Sequence, residues 1–78
     1  MTSARIDSQL RKLGYYLVRR NSVDGVYWFV GGQNHSGWNC GDLTEARSLL
    51  AALRDQADNG GQIIHDGSDW VCVADEAC

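Results

Sequence analysis

The hydrophobic residues follow helical spacing in two segments of the chain and strand-like patterns in four or five others. The first helical series lies near the start, at Ile6, Leu10 and Leu13. Ser3 can cap a helix before this series, and Gly14 stands where a left-handed residue would end it. The pattern predicts a short amphipathic helix.

The longer helical pattern begins after Asp42. Asp42 and Glu45 have the spacing of a capping box, in which one side chain accepts from an early helical amide and the other reaches back. A continuous apolar stripe follows, made of Ala46, Leu49, Leu50, Leu53 and Ala57. The Asn-Gly-Gly segment at residues 59–61 ends the helix. We expect this helix to anchor the core, because its stripe is the longest in the chain.

Two hairpins are predicted from segments that are rich in β-branched and aromatic residues. Residues 15–20 and 26–30 form the first, with a turn between them. Residues 62–65 and 70–73 form the second, joined by the turn-forming residues 66–69.

A segment rich in glycine separates the first hairpin from the longer helix. Residues 31–37 contain three glycines and no apolar side chain, so we expect an exposed loop. Residues 38–40 are a candidate for a short third strand.

These elements predict an α+β fold in the order α-β-β-(β)-α-β-β. An antiparallel sheet of four to five short strands, with the two helices packed on one face, buries both helical stripes. We expect residues 1–78 to form a single domain, with residues 1–2 and 74–78 as frayed tails.

The size of the chain favours binding at a surface over catalysis. Its 78 residues, 44% hydrophobic and 22% charged, supply one modest core and little room for a deep active site. The longest apolar run, residues 26–30, cannot cross a bilayer, and no signal-peptide pattern is present. We therefore expect a cytoplasmic protein with no membrane partner, no cofactor and no enzymatic activity.

The three cysteines do not form a recognisable chemical motif. Their odd number argues against a disulfide framework. A metal site could be assembled from His35, Cys40, His65 and Cys72, but these residues lack the paired spacing of zinc ligands. A Cys40 nucleophile with a histidine base has no supporting local signature, and the carboxylates of the 66–69 turn are explained by turn chemistry. We predict neither a metal site nor a catalytic site.

Charge is distributed unevenly along the chain, whose formal net charge is -3. Residues 1–40 hold five Lys or Arg against two Asp, which gives 5 - 2 = +3. After Arg54 there are six acidic residues and no Lys or Arg, a formal charge of -6. We predict that an acidic surface of this chain docks on a basic cleft of a protein partner. The residues that form this surface are Asp66, Asp69, Asp75 and Glu76.

Seven aromatic residues exceed what so small a core requires. In the strand at residues 26–30, either Trp28 or the pair Tyr27 and Phe29 must point away from the helices. An exposed aromatic strip is typical of a partner surface, so Tyr27, Trp28 and Phe29 join the acidic residues as candidate binding residues.

The leading functional hypothesis is a non-enzymatic protein-binding module. Small acidic proteins of this kind are typical of phage or mobile-element accessory proteins that inhibit a host or defence complex, which is an association of size and charge alone. The alternative is a small nucleic-acid-binding regulator that uses Arg11, Lys12, Arg19 and Arg20. A homodimeric module is the third hypothesis.

Overall fold

The chain forms an α+β fold with the predicted order of elements. The computed structural model describes residues 3–32, 35–67 and 69–73, which contain two helices and five strands. They are α1 (Ser3–Lys12), β1 (Tyr15–Ser22), β2 (Gly25–Gly32), β3 (His35–Cys40), α2 (Leu43–Asn59), β4 (Gln62–Asp66) and β5 (Asp69–Val73). The predicted fold class is confirmed, and the predicted tails at residues 1–2 and 74–78 lie outside the described residues.

The strands divide into two antiparallel sheets and do not form the single sheet that we predicted. One sheet has the order β1-β2-β3, and the other is the β4-β5 hairpin. Within the described chain, the backbones of β4 and β5 approach α2 and each other, but not β1, β2 or β3. The three-stranded sheet and the hairpin pack against different sides of α2. Each therefore buries one face on the helix, and the two sheets share no edge.

The predicted glycine-rich loop is largely strand. Residues 31–32 extend β2, and residues 35–37 begin β3, while residues 33–34 are outside the described part. The first turn is also tighter than predicted, because β1 and β2 pair as far as Ser22 and Gly25. The prediction was wrong because these glycines give room to neighbouring aromatic rings, a reason that no local pattern reveals.

One carboxylate holds α1 against the edge of the first sheet. Oδ1 of Asp7 accepts a hydrogen bond from the backbone N–H of Leu17 at 2.9 Å, and Oδ2 accepts one from Nε of Arg11 at 2.9 Å. These two hydrogen bonds hold the pKa of Asp7 below its ordinary value of 3.8. The bond from the Leu17 N–H has the larger effect, and the bond from Arg11 has the next largest. This contact also covers part of the outer edge of β1.

The core lies between α1, α2 and the inner face of β1-β2-β3. Its buried members are Ile6, Leu10, Val30, Cys40, Ala46, Leu49, Leu50 and Leu53. Four of the five predicted stripe positions of α2 are buried, whereas the last, Ala57, is exposed. Ala52 is buried instead; it lies one helical turn after Ser48, which bonds the second hairpin, and therefore on the side of α2 that faces this hairpin. We call the side of α2 that carries the predicted stripe the inner flank. The adjacent side, with Glu45, Ser48 and Ala52, is the second flank.

Truncation of the inner flank should strongly destabilise the protein. Leu53 is 1% exposed, and Leu53→Ala or Leu50→Ala should lower the free energy of unfolding by about 2–4 kcal/mol through lost burial and a cavity. Urea unfolding followed by circular dichroism measures the loss. Val23→Ala, at a fully exposed position, is the control and should change stability by less than about 0.5 kcal/mol. Unchanged midpoints in both leucine variants would contradict this packing.

Removal of the Asp7 charge should alter stability and its pH dependence. Because the folded pKa is lowered, ionised Asp7 stabilises the fold above the unfolded pKa, and this contribution disappears as pH falls through the folded value. Asp7→Asn should therefore cost about 1 kcal/mol at neutral pH and lose less stability than the wild type below about pH 4. Chemical unfolding between acidic and neutral pH tests this. Asp24→Asn, in an exposed turn, is the control; parallel pH curves for wild type and Asp7→Asn would refute the assignment.

Candidate functional site

The outer face of the three-stranded sheet carries aromatic side chains that neither helix covers. Strand alternation directs Tyr27 and Phe29 outward, while Trp28 points inward and packs against the core. The outward positions of β1 that pair with this strand are Tyr16, Val18 and Arg20. We call this set, Tyr16, Val18, Arg20, Tyr27 and Phe29, the aromatic face. The structure thus brings two of the three predicted aromatics together and separates Trp28 from them.

On the aromatic face, Tyr16 and Arg20 each contact the ring of Phe29. The ring centroids of Tyr16 and Phe29 are 6.4 Å apart at an interplanar angle of 51°. The guanidinium of Arg20 lies over the Phe29 ring, with Cζ 4.9 Å from the centroid, a cation–π contact. Within the described part of the chain, Arg20 has no ion-pair partner. The face therefore presents one positive charge on an apolar surface.

Two glycines allow the rings to lie close to the sheet. A Cβ at Gly31 would lie 2.6 Å from Oη of Tyr16 and 2.7 Å from Cε2 of Phe29. A Cβ at Gly37, where φ is +90°, would clash with the ring carbons Cζ and Cε1 of Phe29. Any larger residue at either position would push the rings away from the strands. The glycines that predicted a loop instead shape the aromatic face.

The predicted acidic residues lie on the other sheet. Asp66 and Asp69 are direct cross-strand partners at the end of the β4-β5 hairpin, and both are exposed. Their face also carries the cross-strand partner pair Ile64 and Val71, and Val73 beyond it. Ile64 is 43% exposed and Val73 is 46% exposed. We call Ile64, Asp66, Asp69, Val71 and Val73 the acidic face.

The apolar half of the acidic face was not predicted from the sequence. Its signal is the alternation within the hairpin, since Ile63 and Trp70 pack on the core and their neighbours must point outward. The two remaining predicted acidic residues, Asp75 and Glu76, lie outside the described residues. The described acidic and aromatic candidates lie on different sheets, whose backbones do not approach each other.

The basic residues of the alternative hypothesis do not converge on one face. Arg19 and Arg20 are neighbours on β1 and therefore project to opposite sides of the sheet. Arg11 is paired with Asp7 on α1, and Lys12 is exposed at the end of that helix. Only Arg20 shares a surface with exposed aromatic rings.

The second flank of α2 fixes the position of the acidic hairpin. Oγ of Ser48 accepts a hydrogen bond from the backbone N–H of Trp70 at 3.0 Å and donates one to its carbonyl at 3.2 Å. Nε2 of His65 lies 2.8 Å from Oε1 of Glu45, and the His65 ring stacks on Trp70 with centroids 4.6 Å apart. These contacts hold the inner face of the hairpin on the helix, so the opposite, acidic face is presented outward.

Glu45 has a capping role in addition to its contact with the hairpin. Its backbone N–H donates to Oδ1 of Asp42 at 2.8 Å, which confirms the predicted helix start. Its Oε2 accepts from the backbone N–H of Gly41, one residue before the expected position. The sequence spacing thus predicted that Glu45 takes part in capping α2, but not that it contacts His65.

The nucleophile and metal alternatives are not assembled by the described side chains. Burial, and then the negative charge of Glu45, raise the pKa of the Cys40 thiol to about 12; the Trp70 side chain lowers it, and Asp42 makes the smallest contribution, which raises it. Cys40 is therefore a protonated, apolar core residue at neutral pH. His65 contacts Glu45, and the Cys72 thiol contacts the Gly60 carbonyl. Among the described residues, no three His, Cys, Asp or Glu side chains lie close enough together to bind a metal ion. The side chain of His35 is outside the description.

Comparison with known proteins indicates no family for the chain. Neither the family models, nor the curated proteins, nor the solved structures yield a match to the chain. Among the described residues, no helix combines the length and the hydrophobicity that crossing a membrane requires.

Cys40 and Cys72 should differ sharply in reactivity. Because its pKa is raised to about 12, the Cys40 thiol stays protonated at pH 8, and its side chain is buried. Cys72 is only half-buried. Brief iodoacetamide treatment of the folded protein should label Cys72 and leave Cys40 unmodified, and denaturant should make both react. Peptide mass spectrometry locates the label. Equal labelling of the two thiols in the folded protein would show that Cys40 is not enclosed.

Proposed function

We propose that this protein is a non-enzymatic protein-binding module whose contact surface is the aromatic face. The observation that carries the proposal is the group of Tyr16, Tyr27 and Phe29, which lies on a sheet face that no described element covers. Tyr16 is 38% exposed, and Tyr27 and Phe29 are half-buried. Such residues supply a large contact area at a low cost in side-chain entropy.

The composition of the aromatic face matches the centre of protein interfaces. Tyr, Phe and Arg are enriched there, whereas Asp, Glu and Lys are depleted. The face contains no acidic residue and one arginine, which the Phe29 ring already orients. Preorganisation of this kind lowers the entropy lost on binding. Val18 adds an aliphatic contact beside the rings.

The acidic face serves this function through electrostatic attraction at longer range. Asp66 and Asp69 steer the module towards a partner with a basic surface, which raises the association rate without requiring direct contact. A small domain seated on such a partner blocks access to the surface that it covers. The proposed outcome is inhibition of a host or defence complex by a phage or mobile-element accessory protein.

A second candidate function uses the same surface. Arg20 over Phe29, with Tyr16 beside it, also resembles the stacking platforms that bind single-stranded nucleic acid. The protein candidate has better support because Arg11, Lys12 and Arg19 do not lie on this face to follow a phosphate backbone.

Site-specific photo-crosslinking tests the proposal. A benzophenone amino acid at Tyr27 should form a discrete protein adduct in the native cells, because this position lies inside the proposed contact. The same probe at Thr44, which is exposed on α2, is the control and should not give this adduct. Mass spectrometry identifies the adduct, and nuclease treatment separates protein from nucleic acid.

Titration of the purified partner then measures the contribution of the face. Tyr27→Ala should raise the Kd by about 30-fold, which corresponds to about 2 kcal/mol. Asp66→Asn together with Asp69→Asn should slow association and leave dissociation nearly unchanged. A nuclease-sensitive adduct at Tyr27 would favour the second candidate, and equal adducts from Tyr27 and Thr44 would contradict both.

A further inference from the structure

The acidic face carries negative charge that nothing in the described structure neutralises. Asp66 and Asp69 stand directly opposite each other, and like charges in this arrangement destabilise a strand pair. Neither carboxylate has an ion-pair partner among the described residues. Ile64, Val71 and Val73 extend the same face with apolar surface. A complementary surface would therefore be apolar and would carry positive charge.

The aromatic face has these properties. It is an uncovered sheet face, it is apolar, and its only charged member, Arg20, has no ion-pair partner among the described residues. The parts of the chain that carry the two faces also differ in charge. The described residues up to Cys40 have five Lys or Arg and two Asp, 5 - 2 = +3, whereas those after Cys40 have two Arg and six acidic residues, 2 - 6 = -4.

From this complementarity we propose that the protein self-associates head to tail. The aromatic face of one copy receives the acidic face of a second copy, and Arg20 of the first copy lies against the Asp66 and Asp69 carboxylates of the second. Ile64, Val71 and Val73 pack on the rings of Tyr16, Tyr27 and Phe29. Two sheets pack face to face at about 10 Å, and side chains of this size fill that distance.

This contact is heterologous, because the two faces are different surfaces of the same chain. Each copy that donates its acidic face keeps its aromatic face free, so association can continue to a chain or close into a ring. A symmetric contact between two aromatic faces is disfavoured, because it would bring the two Arg20 side chains together without a carboxylate between them.

Sedimentation velocity of the intact protein provides the first measurement. The weight-average mass should rise between about 10 μM and 1 mM protein, since apolar contacts of this limited extent give weak association. An increase in salt from about 0.05 M to 0.5 M should weaken association by at least about fivefold, because opposite charges face each other in the contact.

Charge reversal on each face tests the pairing of the two faces. Arg20→Glu should weaken self-association by at least about tenfold, and so should Asp66→Lys with Asp69→Lys. An equimolar mixture of these two variants should associate again, because the intact acidic face of the first meets the intact aromatic face of the second. Their reversed faces are complementary as well.

Variants with the same change in net charge serve as controls. Arg47→Glu matches Arg20→Glu, and Asp55→Lys with Asp58→Lys matches the acidic-face variant; all three control positions are exposed on α2. The controls should associate like the wild type. Circular dichroism verifies folding, and if a reversal variant unfolds, Arg20→Gln or Asp66→Asn with Asp69→Asn replaces it, with a smaller effect in the same direction.

The proposal is overturned by any of three results. These are a wild type that stays monomeric at every concentration, reversal variants that associate as well as their controls, and a mixture that does not recover association. This inference goes beyond the proposed function and can fail separately from it. A Tyr27 adduct with another protein would survive the failure of self-association, and self-association would survive the absence of such an adduct.

Discussion

The structure depends on the burial of two adjacent flanks of α2. The inner flank, centred on Leu49 and Leu53, closes the core against α1 and the three-stranded sheet. The second flank holds the hairpin through Ser48 and Glu45. Two-stranded hairpins are marginally stable by themselves, and among the described elements the backbone of this one approaches α2 alone. The helix therefore stabilises both sheets, and loss of its packing would affect each of them.

The same arrangement encloses the Cys40 thiol and holds the His65 ring in contact with neighbouring side chains. Trp70 of the hairpin packs against the core cluster that contains Cys40, and Glu45 contributes a nearby negative charge. A thiol in this environment stays protonated and behaves as a small apolar side chain. His65, the other group with catalytic potential, is stacked on Trp70 and bonded to Glu45, so it joins the hairpin to the helix. The polar side chains at this junction have a structural role in the described arrangement.

Each sheet leaves its outward side exposed. Because the helix layer covers only the inner faces, each sheet keeps one face open, and strand alternation places apolar side chains there. The two open faces differ in charge, with Arg20 on one and a pair of carboxylates on the other. This asymmetry is a property of the fold and not of any single motif.

The sequence alone determined the features that depend on neighbours along the chain. The helix start at Asp42 and Glu45, the leucine stripe and the order of elements are all set by spacings of a few residues, and the acidity of the second hairpin can be counted directly. The tertiary structure decided the rest. Only three-dimensional packing showed that Gly31 and Gly37 make room for Tyr16 and Phe29, and that Trp28 faces the core. The division into two sheets was likewise decided by which flank of α2 each strand pair could cover, a long-range competition for buried surface that local patterns do not record.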